Sequence, residues 1–262
     1  MLLCAISIEI KKRAAYVASF WLKMIVPPAA QIFVAYFLWS AVYETQGVSE
    51  IGGINFSQMI FYYVLVSCVY QMTRPDMGMI LREIYEGSLT KFLVYPTSFF
   101  AFKFAAHLAH MILIFLQLLV AVGIYLFFFD LSSPISAINL ALGLVSLIIA
   151  GFLFFIMMAS LELLSFWFES AWALCIMLDF VIGLFGGRIL PLELFPAWLK
   201  EANEYLPFRY LVSFPVEVIQ GTLSNQALAF GFGISIFWCF VITLLAHAIW
   251  DRGSYQYTGT GM

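Results

Sequence analysis

The stretch GGRILPLELFPAWLKEANEYLPFRYLVSFPVEVIQG, residues 186–221, separates two long apolar runs and cannot cross a bilayer as one helix. Prolines divide it into pieces that are too short to span: Pro191, Pro196, Pro207 and Pro215. Between Pro196 and Pro207, apolar residues recur at helical spacing, which predicts an amphipathic helix of about three turns with Pro196 at its first position. Charged and polar residues take the opposite face: Lys200, Glu201, Asn203 and Glu204.

The apolar face of this helix carries Trp198 and Tyr205, which have an apolar body and a polar edge. Side chains of this kind favour the boundary between hydrocarbon and water. We therefore expect the helix to lie on the membrane surface, at one mouth of a helical bundle. The alternative is a short surface helix of a soluble domain, which the flanking apolar runs disfavour.

The composition is that of a membrane protein. Apolar residues make up 64% of the 262 residues and charged residues 10%, against about 45–50% and about 25% in soluble domains. We predict an all-α polytopic membrane protein with about six spans of about 20 residues and no large soluble domain. The net charge of -3 does not indicate a nucleic-acid partner. The cysteines are isolated, with no C-x-x-C pair, and indicate neither a disulfide framework nor a zinc site.

Apolar runs alternate with polar connections along the chain. Residues 1–20 carry a period-four stripe that is too charged to cross a bilayer, which predicts an interfacial helix and no cleaved signal peptide. The predicted spans cover residues 24–43, 56–73, 104–129, 138–161, 171–185 and 227–250. A charged loop at residues 74–103 follows the second span, and an amphipathic re-entrant segment at residues 186–226 follows the fifth.

Lysine and arginine orient the bundle, because they favour the cytoplasmic side of a membrane. Most of them fall on one side of the predicted layout: Lys11, Lys12, Arg13, Lys23, the cluster from Arg74 to Lys103, and Arg252. The other side has Arg188, Lys200 and Arg209. We therefore predict a multi-pass protein with both termini cytoplasmic, the 74–103 loop in the cytoplasm and the 186–226 segment outside.

Three segments resemble the permeases of type-2 ATP-binding-cassette exporters. The segment IYEGSLTKFLVYP, residues 84–96, is similar to their cytoplasmic loop R-E-G-x-L-x-x-x-L-x-x-P, with Tyr85 and Tyr95 where basic residues are usual. The stretch from Leu190 to Gly221 is similar to their external segment, P-x-x-x-F-P-x-W-L … L-P-F … P … G. The tail IWDRGSYQYTGTGM resembles the ending W-x-x-G-x-x-x-Y-x-x-x-G of one subgroup.

The resemblance implies one permease domain over residues 1–262, which contacts an ATPase through its amino-terminal helix and a cytoplasmic coupling helix. Such permeases pair, as homodimers or with a sister permease, and bind two cytoplasmic ATPase subunits. Transferred to this chain, the candidate contacts with the ATPase are Arg82, Glu83, Glu86, Gly87, Leu89 and Lys91. The resemblance also implies that ATP and Mg²⁺ bind to the partner ATPase and that this chain binds no cofactor.

The residues themselves also favour an external energy source. Uphill transport needs energy, but the sequence contains no G-x-x-x-x-G-K-[ST] phosphate-binding loop. An ion-coupled carrier usually has intramembrane acids or broken helices in two repeated halves. Asp179 is the only clear acid in the middle of a predicted span, and the sequence shows no internal repeat. We therefore predict a separate ATPase subunit and no enzymatic activity in this chain.

Individual charged residues have two interpretations each. In one interpretation Asp179 lines the translocation path or the dimer interface. In the other it is a protonated or hydrogen-bonded structural acid near Gly183. Arg188 would recognise an anionic headgroup or anchor the chain at the membrane interface. Glu162 and Glu169 bracket a short cytoplasmic turn and are interpreted as solvated loop charges, with contact to the ATPase as the alternative.

We expect the external helix to close the exit of the path by burying its apolar face against lipid or the ends of the last two spans. The candidate gate residues are Pro196, Trp198, Leu199, Tyr205 and Pro207. His107 and His110 have a spacing that fits a metal or haem, but no carboxylate or thiol with ligand spacing supports such a site. No metal site is therefore predicted.

The leading hypothesis is a permease subunit of an ATP-driven exporter in a bacterial plasma (inner) membrane, working by alternating access between two permeases. The alternative is a non-transporting assembly or sensory protein whose external segment binds a peptide or lipid. An integral-membrane enzyme acting on lipids is disfavoured, because the sequence has no Ser/His/Asp set and no H-E-x-x-H motif.

Overall fold

A computed structural model describes residues 6–11, 17–93, 98–128, 136–168 and 171–257, and these form a predominantly helical bundle. Residues 6–11 are helical. The elements that follow are α1 (Val17–Gln46), β1 (Glu50–Ile51), β2 (Ile54–Asn55), α2 (Phe56–Thr73), α3 (Leu81–Tyr85), α4 (Thr90–Leu93), α5 (Phe99–Phe128), α6 (Ala137–Glu162), α7 (Trp172–Phe185), α8 (Ala197–Tyr205), α9 (Ser213–Gln220) and α10 (Asn225–Ser254). Turns of 3₁₀ helix occupy Leu163–Phe166, Leu192–Leu194 and Arg209–Leu211.

Some of the predicted features lie outside these ranges. They are Lys12 and Arg13 of the amino-terminal stripe, Tyr95 and Pro96 of the 74–103 loop, Glu169, and residues 258–262 of the tail.

Four helices of the described ranges are long and apolar enough to cross a membrane: Ile25–Gln46, Phe99–Val120, Ala137–Phe166 and Asn225–Ser254. They support the predicted all-α polytopic membrane protein. Helix α7 is apolar but has only 14 residues, and at about 1.5 Å per residue it is shorter than a hydrocarbon core of about 30 Å. Since α2 and α7 are not among the four, the count of six spans stays a prediction.

Helix α2 is the central element of the bundle. Every residue from Met59 to Tyr70 is buried, and α1, α5, α6 and α9 all pack against the helix. A helix that is apolar on all sides is expected inside a bundle rather than at its surface. The hydroxyls of all three tyrosines of α2, Tyr62, Tyr63 and Tyr70, donate hydrogen bonds to other elements of the bundle.

The connection between α1 and α2 is a two-stranded hairpin that fixes where α2 begins. Gly52 and Gly53 have φ values of 61° and 80°, as a two-residue hairpin turn requires. Asn55 then caps α2, because its Oδ1 accepts a hydrogen bond from Gln58 N at 2.9 Å while Gln58 Oε1 accepts one from Asn55 N at 3.1 Å. Leu194 packs close to Gly52, so the hairpin and the 186–226 segment share one end of the bundle, which we call the segment end.

The 186–226 segment enters the bundle after helix α8. Residues from Tyr210 to Val216 are all buried, and Phe214 and Ile219 of α9 pack directly on Gly231 of α10 and Gly143 of α6. The Ser213 hydroxyl lies 3.2 Å from the Tyr62 hydroxyl of α2. Helix α8 is therefore the superficial part of the segment, and residues 210–216 are part of the core.

Candidate functional site

The 74–103 loop, which follows the other end of α2, folds against the ends of α5 and α6; we call this the loop end. Apolar side chains of the loop are buried: Ile80, Ile84, Leu89 and Phe92. They cluster with Phe99 of α5 and with Ala159, Leu163 and Phe166 at the end of α6. Gly87, with a φ of 70°, makes the left-handed turn between α3 and α4. The loop thus has an apolar core on the side that faces the bundle.

Glu162, at the end of α6, holds the first turn of this loop. Its Oε1 accepts a hydrogen bond from Gly78 N at 2.7 Å, and its Oε2 accepts from Ile80 N at 2.7 Å and from Leu81 N at 3.3 Å. These amides lie at the beginning of α3, where backbone N–H groups lack helical partners and favour a negative charge. Glu162 is 2% exposed, so the prediction that it is a solvated loop charge is wrong.

The last residues of the predicted loop, 99–103, already belong to helix α5, and Lys103 there provides a second charged attachment for the part of the loop that precedes α5. Its Nζ lies 2.5 Å from Glu83 Oε1 and donates to the Met79 carbonyl at 3.3 Å. The Lys103 side chain is 6% exposed and that of Glu83 15%. The ammonium group also lies 4.8 Å from the centre of the Phe92 ring, a favourable cation–π distance. The loop is therefore attached through buried charge to both α5 and α6.

The residues predicted to contact an ATPase divide into two groups. Arg82, Glu86 and Lys91 are exposed. Glu83 and Leu89 face the bundle instead, since Glu83 pairs with Lys103 and Leu89 is 0% exposed. The exposed surface of the loop therefore includes charges of both signs on the two sides of the Gly87 turn.

Asp179 lies half-buried on α7 and joins it to α2. Its Oδ1 accepts a hydrogen bond from the Tyr70 hydroxyl at 2.5 Å and one from Arg74 Nε at 2.7 Å. The carboxylate is therefore a paired and hydrogen-bonded group in this structure. Its partners, rather than Gly183, are a tyrosine and an arginine from the loop end of α2.

The Arg188 side chain points into the bundle rather than towards the segment end. Its guanidinium carbon lies 4.1 Å from the centre of the Tyr70 ring, and its Nη2 would be 2.9 Å from a Cβ on Gly183. Its backbone is fixed, because Gln31 Nε2 donates to the Arg188 carbonyl at 3.3 Å. The Tyr62 and Tyr63 hydroxyls donate to the flanking carbonyls of Gly187, at 2.8 Å, and Ile189, at 3.1 Å. Sequence reasoning placed Arg188 correctly after a helix break but did not find its inward direction.

Helix α8 is the predicted amphipathic helix, with Pro196 just before its first residue rather than at it. Trp198 and Tyr205 are 69% and 63% exposed, Leu199 is half-buried, and Pro196 is exposed while Pro207 is buried. Much of the apolar face of α8 is thus left uncovered by the described residues, as expected for a face that contacts lipid.

Asn203 is the exception to the predicted polar face of α8. It is 1% exposed, and its Nδ2 donates a hydrogen bond to the Phe185 carbonyl at the end of α7, at 2.8 Å. Trp238 Nε1 of α10 donates to the Tyr205 carbonyl at 2.9 Å. Asn203 is therefore an anchor of α8, and its placement on the solvent-facing side was wrong.

A further charged group lies where the segment enters the bundle. Arg209 Nη2 donates to Glu217 Oε2 at 2.7 Å, and Arg209 Nη1 lies 3.6 Å from Glu204 Oε1. Burial raises the pKa of the Glu217 carboxyl, and the lowering effect of Arg209 does not outweigh it. This pairing fixes α9 to the turn before it, and no sequence pattern indicated it.

The histidine pair does not form part of a larger ligand set. His110 Nε2 is 3.0 Å from the Gln71 carbonyl, and the rings of His107 and His110 have centres 6.2 Å apart. In the residues that the structure describes, no group of three or more His, Cys, Asp or Glu could hold a metal ion.

Comparison with known families gives one match. The sequence profile of the family described as "ABC-2 family transporter protein" matches residues 29–261, which is most of the chain. A comparison with curated proteins found no match. The family match confirms the resemblance that the loop, the 186–226 segment and the tail indicated.

Proposed function

This chain belongs to the ABC-2 transporter family, and from that premise we propose that it is the permease subunit of an ATP-driven exporter in a bacterial plasma membrane. It works with a second permease, identical or a sister chain, and with cytoplasmic ATPase subunits that bind ATP and Mg²⁺. Alternating access of a path between the two permeases moves the substrate outwards. Both termini and the loop end of the bundle face the cytoplasm, and the segment end faces outside.

The observation that carries this proposal is how the 74–103 loop is attached. A loop that transmits a partner's movement must be exposed to the partner on one side and fixed to the transmembrane helices on the other. Glu162 and Lys103 fix the loop to α6 and α5 through buried charge. Arg82, Glu86 and Lys91 remain exposed, and a surface with charges of both signs suits a polar protein interface.

Co-purification with the ATPase tests the proposal. The permease is expressed with its candidate ATPase, extracted in detergent and isolated through a tag on the permease alone. A nucleotide-binding chain should be recovered in stoichiometric amount. The double variant Arg82→Glu/Glu86→Arg should recover roughly tenfold less or lower still, because reversed interface charges oppose the partner's charges.

The matched control is Lys200→Glu/Glu201→Lys, which reverses two exposed charges on α8 at the opposite end of the bundle. This control should recover the ATPase as well as the wild-type chain does. Normal recovery of the ATPase with Arg82→Glu/Glu86→Arg would show that the ATPase docks elsewhere on the permease. Absence of any nucleotide-binding chain with the wild-type protein would contradict the proposed function.

A further inference from the structure

The Arg188 guanidinium is a half-buried cation for which the described part of the chain provides no hydrogen-bond acceptor. An arginine side chain carries five N–H donors, yet among the residues described here none accepts a hydrogen bond from it and no carboxylate forms an ion pair with it. Its Nε is buried without a partner. Contact with the Tyr70 ring face stabilises the charge but leaves the hydrogen-bond donors unused.

The carboxylates near this arginine are committed to another cation. Asp179 Oδ1 already accepts from Tyr70 and Arg74. Asp76, which is exposed in the loop, also interacts electrostatically with Arg74. Arg74 and Arg188 lie on the same tyrosine, with guanidinium carbons 5.9 Å and 4.1 Å from the ring centre. Two guanidinium groups therefore lie at Tyr70, and in the described part of the chain the Arg188 group is the one without a carboxylate in ion-pair contact.

The group is reachable from the side of α7. The Arg74 side chain is 36% exposed and that of Asp179 17%, so the cluster is not sealed inside the core. The neighbouring face of α7 is apolar and open: Ile176 is 50% exposed, Met177 65% and Phe180 59%. A ligand with an anionic group and an apolar chain would bind the guanidinium through the first and cover the apolar face of α7 with the second.

We propose that Arg188, which shares Tyr70 with Arg74, binds the anionic headgroup of a lipid-like amphiphile through a phosphate or carboxylate oxygen. Guanidinium groups bind these oxygens in a bidentate manner. An unpaired charge at this depth is otherwise costly. Gly183 leaves the space in which the guanidinium lies. The proposal rests on the proposed function only for the source of the amphiphile, which is either a resident lipid or the transported molecule.

Native mass spectrometry of the full permease chain tests the binding without any ATPase. The probes are phosphatidylglycerol, which is anionic, and phosphatidylcholine, which has no net charge. The wild-type chain should retain phosphatidylglycerol in preference to phosphatidylcholine. Arg188→Gln should lower that retention roughly tenfold or more, since it removes a charge-assisted hydrogen bond, whereas the control Arg252→Gln, an exposed cation on α10, should not.

Equal retention of the two lipids by the wild-type chain, or unchanged retention in Arg188→Gln, would overturn the proposal. If Arg188→Gln does not give a monodisperse protein, Arg188→Lys decides, because it keeps a positive charge but loses the guanidinium fork that binds an oxyanion in a bidentate manner. Unchanged retention in Arg188→Lys would then count against the site.

A second arm identifies the source of the headgroup. Fluorescent phosphatidylglycerol is placed in liposomes that contain the permease with its ATPase, and its transfer between leaflets is followed on addition of ATP. Transfer that depends on Arg188 assigns the headgroup to a transported molecule. Binding without transfer assigns it to a resident lipid, and both results support the anion site. ATP hydrolysis is measured in the same liposomes, and a rate no different from that of the ATPase alone would count against the proposed function and leave the binding result intact.

Discussion

The 74–103 loop and helix α8 lie at opposite ends of the bundle and are attached to it by different chemistry. The loop is held by buried charges, with Glu162 2% and Lys103 5% exposed. Helix α8 is held by neutral hydrogen bonds, from Asn203 to the Phe185 carbonyl and from Trp238 to the Tyr205 carbonyl. Charge-assisted hydrogen bonds are about twice as strong as neutral ones. The loop should therefore move together with α5 and α6, whereas α8 can be displaced at lower cost.

The largest effect is expected for Glu162→Gln. The amide offers one acceptor oxygen where the carboxylate offers two, and its NH₂ group would face backbone donors. We expect the loop's attachment to weaken by about 3 kcal/mol, since a hydrogen bond to a charged group contributes about 1.5–3 kcal/mol. Hydrogen exchange at the amides of Gly78, Ile80 and Leu81 measures this change. Glu86→Gln, on the exposed side of the same loop, is the control, and equal exchange in the two variants would contradict the role of Glu162.

The next largest effect is expected for Lys103→Met, which leaves the Glu83 carboxylate without its cation. We expect a loss of about 2–3 kcal/mol, below the about 3–5 kcal/mol found for fully buried pairs because Glu83 is partly exposed. The double variant Glu83→Leu/Lys103→Met should recover much of this loss, because no unpaired charge remains. Thermal unfolding in detergent, compared across the complete double-mutant cycle, measures the coupling. Additive losses would show that the pair does not hold the loop.

Asn203→Ala should have a smaller effect. It removes one neutral hydrogen bond and leaves the Phe185 carbonyl unpaired, which costs about 1 kcal/mol. Hydrogen exchange along α8 should increase while exchange in the 74–103 loop stays the same. Lys200→Ala, three residues away on the exposed side, should change stability by less than about 0.5 kcal/mol. A loss in Asn203→Ala as large as that in Glu162→Gln would remove the contrast between the two ends.

The smallest effect on assembly is expected for Trp198→Asp, because Trp198 is 69% exposed and makes no anchoring hydrogen bond in the described chain. The new charge would nevertheless lie in the membrane interface and disturb the position of α8. If α8 gates the exit, transport should fall before the permease pair dissociates. Transport and detergent-resistant dimer content are measured side by side. Normal transport, or dissociation first, would show that α8 is not a gate.

Local patterns predicted the helices well, because each depends on its own sequence. The periodicity between Pro196 and Pro207 predicted α8, and the glycines at 186 and 187 predicted the end of α7. The charged composition of residues 74–103 predicted a connection between two spans, and the family resemblance implied its coupling helix. The family motifs then identified the transporter family that the profile match confirmed.

Tertiary partners could not be predicted in this way. Glu162 lies beside residues some 80 positions earlier in the chain, and nothing near it in sequence indicates burial. Asn203 fits the polar face by periodicity, but the unpaired carbonyl at the end of α7 makes it a buried donor. The one signal that the sequence did contain is the set of tyrosines within α2, since hydroxyls in a membrane-buried helix require partners from other elements.

Helix α2 has contacts at both ends of the bundle. With 18 residues it is a rod of about 27 Å at about 1.5 Å per residue. Tyr62 and Tyr63 hold the carbonyls of Gly187 and Ile189, while the other end continues through Arg74 into the 74–103 loop. Any sliding of this rod along its own axis must shift both hydroxyls and the loop by the same distance, so a label on Arg82 and a label on Ile189 would report one displacement from two sides.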